Sequence, residues 1–118
     1  MFNFEKLDSW QQAVDFADLV YSSTRTFPRE EMFGLTTQLR RAAISVSSNI
    51  AEGSSRSSRT DFARFTEIAT GSLFEVVSQS LIAKRRGLLG EENYTLIYRD
   101  AERLGKMLSG LRNSLVSK

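Results

Sequence analysis

Apolar residues recur along this chain in four long runs at helical spacing, and a single proline, Pro28, falls among them. A helix that is apolar on one side must lay that side against another element. Four such runs joined by short polar connections therefore restrict the chain to helices packed on helices.

The first run covers residues 9–26. Asp8 stands at an N-cap position, with Gln11 three residues on at the spacing of a capping box. Trp10, Ala13, Val14, Ala17, Val20, Tyr21 and Thr24 share one face. Phe27-Pro28 ends the run, because the residue before a proline is pushed out of the α region. The second run covers about residues 32–51, preceded by Glu30 and Glu31, whose charge suits a helix start. Leu35, Leu39, Ala42, Ala43, Val46 and Ile50 mark its inner face, and Gly53 reads as the residue that terminates it.

Residues 54–59 form a polar loop of serine and arginine. Ser58 then caps a third run over residues 59–86, with Asp61 three positions in. Phe62, Phe65, Ala69, Ser72, Leu73, Val76, Ser80 and Ala83 form its stripe, and Gly87 stops it. After Gly90 the fourth run, residues 91–116, carries Tyr94, Ile97, Ala101, Leu104, Leu108, Leu111 and Leu115 on one face. Short connections place successive helices antiparallel. The expectation is an all-α, up-down-up-down four-helix bundle in which residues 1–118 make one domain.

The 118 residues contain no histidine and no cysteine. Serine-histidine and cysteine-histidine nucleophile pairs are thereby excluded, as are thiolate or imidazole zinc sites and disulfides. No lysine stands three residues after a serine, and Gly105-Lys106 lacks the glycine spacing of a phosphate loop. No enzymatic activity, cofactor or metal is expected. The first residues show no basic-then-apolar leader, and no run approaches the ~18 apolar residues of a membrane span, so a cytoplasmic location with no membrane partner is expected.

Two features exceed what a lone bundle needs. At about 100° per residue, Phe33, Ile44 and Ala51 point away from the inner face of the second helix. On the third helix, Ala63, Thr70, Phe74, Val77 and Leu81 stand roughly 90–150° from the centre of the main stripe. Apolar patches of this kind suit a homo-oligomer interface better than open water. The smaller strays, Leu19, Leu96 and Met107, read as isolated apolar residues.

The second feature is basic clustering within a net charge of only +2. Arg99, Arg103 and Lys106 follow one another at helical spacing, Arg40 and Arg41 are adjacent, Arg56 and Arg59 flank the serine loop, and Lys84, Arg85 and Arg86 close the third helix. Neutralising phosphates releases counterions, so such clusters fit RNA or DNA. The plainer reading is a solvated face with local pairs, Glu102 lying within helical reach of Arg99 and Lys106. In an oligomer each cluster is repeated, which turns a modest patch into a multivalent one. A protein-protein adaptor without nucleic acid is the competing expectation.

Residues 33–43, Phe-Gly-Leu-Thr-Thr-Gln-Leu-Arg-Arg-Ala-Ala, are followed by Ser-Val-Ser-Ser-Asn-Ile-Ala-Glu-Gly over 45–53. With Trp10-Gln11, Phe27-Pro28, Phe62-Ala63-Arg64-Phe65 and Ala69-Thr70-Gly71-Ser72-Leu73, they resemble the four-helix-bundle proteins encoded in intervening sequences of bacterial 23S ribosomal RNA genes. Ser47 departs from that family's frequent proline, and Phe74 from a smaller residue. The resemblance implies a homopentamer. It also implies kinship to the accessory protein of diversity-generating retroelements, a basic bundle that binds nucleic acid and a reverse transcriptase. Association with nucleic acid or with a nucleic-acid enzyme is the function it suggests. Arg40, Arg41, Asn49, Glu52 and Arg56 within the motif read as a polar network at the end of the second helix, with contact to a ligand as the alternative.

Overall fold

The computed structural model describes residues 1–117, and they form four α-helices: α1 (Asp8–Thr24), α2 (Thr37–Ser54), α3 (Arg59–Arg85) and α4 (Glu91–Val116). Each packs on its neighbours in cyclic order, α1 on α2, α2 on α3, α3 on α4 and α4 on α1, in a rod of 47 × 21 × 21 Å. This is the all-α four-helix bundle that the apolar periodicity predicts.

The core is assembled from one stripe per helix. Phe16 and Val20 of α1, Leu39, Val46 and Ile50 of α2, Leu73 and Val76 of α3, and Ile97, Leu104 and Leu108 of α4 are all but inaccessible to water. Phe16, absent from the stripe read from sequence, is the largest of them, whereas Tyr21, assigned to it, is 40% exposed. The inward face of α1 is thus turned toward Phe16. Apolar residues surround much of this helix, so periodicity alone could not locate its centre.

The helix ends follow local chemistry. The Ser58 side chain accepts from the Asp61 backbone N–H at 3.0 Å, as an N-cap should. Gly87 has φ +76°, and bonds from Gly87 to Lys84 O and from Leu88 to Ala83 O complete a Schellman stop for α3. The start of α1 is different from expectation. Leu7 holds the cap position without a side-chain bond, and Gln11 donates to Glu5 O instead of closing a capping box. Helix α1 also stops two residues short of Thr26, and Thr24 turns its hydroxyl back onto Val20 O.

A 3-10 turn (Arg29–Glu31) and a π turn (Met32–Thr36) lead into α2, so the regular helix begins later than predicted. Within the π turn the backbone of Gly34 leaves helical values (φ −117°, ψ −116°). Before α1, Asn3–Lys6 form a 3-10 turn. Phe2 and Phe4 stack, and Phe4 meets Trp10 edge-on at 4.8 Å.

Gly53 does not terminate α2; the helix continues through it to Ser54. Its role is steric. A Cβ at Gly53 would stand 2.7 Å from both Phe62 Cδ1 and Phe65 Cβ, so glycine lets α2 and α3 approach closely. A Cβ at Gly71, in the middle of α3, would meet nothing within 4 Å. The same substitution should therefore have opposite effects at these sites. Gly71→Ala should raise stability by about 0.5–1 kcal/mol through helix propensity. Gly53→Ala should lower it by about 1–2 kcal/mol, because the overpacking cost exceeds that gain. Chemical denaturation of both variants beside the parent checks the two signs.

Candidate nucleic-acid and oligomer interfaces

The predicted oligomer residues divide on inspection. Phe33 is 96% exposed, Phe74 68%, Ile44 42% and Leu81 38%, so these side chains do lie outside the core of one protomer. Ala63 does not; it is buried at 3% exposure, and its assignment to an interface is corrected. It stands in the first turns of α3, a region that packs on the end of α4: Glu67, one turn on, pairs with Arg112. Its angle on the helix therefore says less than its height along it. Val77 is half-buried against the core, and Thr70, also half-buried, donates to Thr66 O at 2.9 Å. Ala51 is half-buried beside the Phe2–Phe4 turn of its own chain.

Phe74, Thr70 and Val77 line a cleft of about 620 Å³ between α3 and α4. Tyr98, Ala101 and Gly105 form the α4 wall, Leu73 the floor, and Glu102 and Lys106 the rim. The small residues Ala101 and Gly105 leave the gap. Tyr98, 44% exposed, escaped the sequence reading because its spacing fits the edge of the main stripe. The absence of a side chain at Gly105 was the signal available there.

The basic residues fall into two chemical groups. Several are committed within the bundle. Arg40 Nε donates to Thr24 Oγ1 at 2.9 Å, and its guanidinium lies 4.5 Å from the Tyr21 ring centre, which ties α2 to α1. Arg56 pairs with Glu52 at 3.3 Å and with Asp61 at 3.8 Å while lying over Phe65. Arg59 donates to the Ser114 and Leu115 carbonyls at the end of α4. Lys84 pairs with Glu91 at 2.9 Å and sits over Tyr94. The other six, Arg41, Arg85, Arg86, Arg99, Arg103 and Lys106, are exposed and have no ion pair among the described residues. The expected pairing of Glu102 with Arg99 or Lys106 does not form among them either.

The motif residues of α2 do not make the single network expected. Asn49 donates to the Ser45 carbonyl and hydroxyl at 2.8 and 2.9 Å, and Ser45 meets Ser72 of α3 at 2.9 Å. This small polar seam stands apart from the Arg40 and Arg56 clusters. Among the described residues no group of three or more carboxylates is placed to hold a metal ion, and no helix is long and apolar enough to cross a membrane.

The family model for 23S rRNA-intervening sequence proteins matches residues 5–110, nearly the whole bundle. The chain belongs to that family. Among solved structures it is similar to a protein of unknown function from the S23 ribosomal protein family of Bacteroides thetaiotaomicron. That structure shares 23% identity and a TM-score of 0.81, over 89% of this chain and 95% of that one. At this identity the likeness establishes the fold. No curated protein is significantly similar to the chain.

Arg59 offers a direct check on the division of basic residues. As a cap on the last carbonyls of α4, its loss in Arg59→Ala should speed amide exchange in the final turn of α4 several-fold. The melting temperature should fall by no more than a few degrees. Hydrogen-exchange mass spectrometry of the C-terminal peptide measures the change.

Proposed function

We propose that the chain is a non-enzymatic, homo-oligomeric bundle that binds nucleic acid or a ribonucleoprotein through basic surface repeated around the assembly. The observation that carries the reading is the stripe of Arg99, Arg103 and Lys106 on α4. All three are exposed, follow one another at helical spacing, and lack an acidic partner among the described residues. Unpaired charges keep their full attraction for phosphate, whereas Arg56 and Lys84 would first have to leave carboxylates. Exposed Phe33, Ile44 and Phe74 support the oligomeric part, and the family's name supports a connection with ribosomal RNA. The α3/α4 cleft has apolar walls with a single acid and a single base at its rim, which suits docking better than catalysis.

The apolar cleft also favours a second reading, a protein-protein adaptor with no role for nucleic acid. Titration of RNA at several salt concentrations distinguishes the two. Phosphate recognition should weaken linearly in log-log form, and changing Arg99, Arg103 and Lys106 together to alanine should flatten the slope by about 2–3 units. Affinity indifferent to salt, or unchanged in the triple variant, leaves the adaptor. A partner that stays bound after nuclease treatment would argue for it directly.

A further inference from the structure

The two exposed apolar faces lie on opposite flanks of the protomer. Arg40 leans on α1 through Thr24 and Tyr21, and Ile44, one turn on, shares that flank of α2. Phe74 lines the cleft on the far side of α3, against α4. The α2/α3 seam, closed by Ser45 and Ser72, runs between them. One protomer cannot cover either face with the other, and a two-fold contact pairing like with like would leave one face bare. We infer that the α2 flank carrying Ile44 seats in the α3/α4 cleft of a second copy of the chain, head to tail. This deepens the oligomeric reading above and rests on it.

The heights of the residues along the bundle support this pairing. The Ser45–Ser72 bond sets those positions level. A Cβ at Gly105 would lie 3.6 Å from Leu73 Cδ2, so Gly105 is level with Leu73. Ile44, Leu73 and Gly105 therefore share one height. Rotation about an axis parallel to the bundle preserves height, so Ile44 of one copy arrives at the Gly105 notch of the next. Helices α2 and α4 run in the same direction. Arg41, three residues before Ile44, thus arrives at Glu102, three residues before Gly105. Both are exposed, oppositely charged and without an ion pair among the described residues. Phe33 stands ahead of the start of α2, on the side of Ile44 toward the Tyr98 end of the cleft.

The area is also adequate. Aromatic side chains bury about 150–250 Å² each, so Phe33, Ile44, Phe74 and Tyr98 at their present exposures offer on the order of 500 Å² of apolar surface. That is the apolar share of an interface of about 1,000 Å², the size at which specific contacts begin. In this arrangement Arg41 serves the contact between copies, Lys106 stands at its edge, and Arg99 and Arg103 of the α4 stripe are left for phosphate.

Mixing two defective variants tests the pairing. Ile44→Asp spoils the ridge and Gly105→Gln fills the notch; thermal melts confirm that each variant folds. By native mass spectrometry and sedimentation from micromolar to millimolar protein, wild type should be an oligomer and each variant alone monomeric. An equimolar mixture should form heterodimers and nothing larger, because the I44D copy keeps an intact cleft and the G105Q copy an intact ridge. In addition, R41E or E102R alone should raise the dissociation constant tenfold or more, and the double variant should recover most of it. A mixture that stays monomeric, variants that keep the wild-type mass, or charge reversals without effect would each overturn the pairing while leaving the oligomeric reading standing. A monomeric wild type over the whole range overturns both.

Discussion

The narrow seam between α2 and α3 is the contact on which the rest of the bundle depends. It is built from small groups: Gly53 beneath Phe62 and Phe65, and the Ser45–Ser72 pair with Asn49 beside it. Small residues on α2 let the side chains of α3 come down onto its backbone, as Phe62 and Phe65 do at Gly53. Larger side chains on either helix then have room only on the inner side or on the two outer flanks. Ile44 and Phe74 stand on those outer flanks, one on either side of the seam.

Charge follows the same geometry. Arginines near a seam or a helix end find partners in the fold: Arg40 across α1/α2, Arg56 over the start of α3, Arg59 on the last carbonyls of α4. Arg41, Arg85, Arg86, Arg99, Arg103 and Lys106, on the outer faces, find no acid among the described residues. The chain is close to electrical balance overall, yet Arg85, Arg86, Arg99, Arg103 and Lys106, on α4 and at the end of α3, have no ion pair among the described residues. Net charge hides this, because acidic residues elsewhere, among them Asp15 and Asp18 of α1 and Glu75 of α3, balance the sum.

The architecture was largely legible in the residues. The bounds of α4, the Ser58 cap and the Gly87 stop depend on neighbours within a few positions, and local rules reach that far. Gly53 shows where they fail. A glycine near a helix end looks the same whether it terminates the helix or admits an aromatic ring from another, and only the partner helix distinguishes the two. Phe16 and Ala63 fail for a related reason. Their burial is decided by what stands opposite, and a helical wheel contains no such information. The exposed faces of α2 and α3 were visible as surplus apolar circumference. That they lie on opposite flanks, and that Gly105 notches the cleft, required the packed helices.

The kink at Met32–Thr36 has a consequence for what can vary on either side of it. Gly34 leaves helical values there, so the side chains ahead of it are out of register with α2. Phe33 is exposed, whereas Leu35 packs on the core and Thr36 is buried. Position 33 is therefore released from the helical repeat that holds its successors, and its size and polarity can change while the interior from Leu35 onward stays as it is.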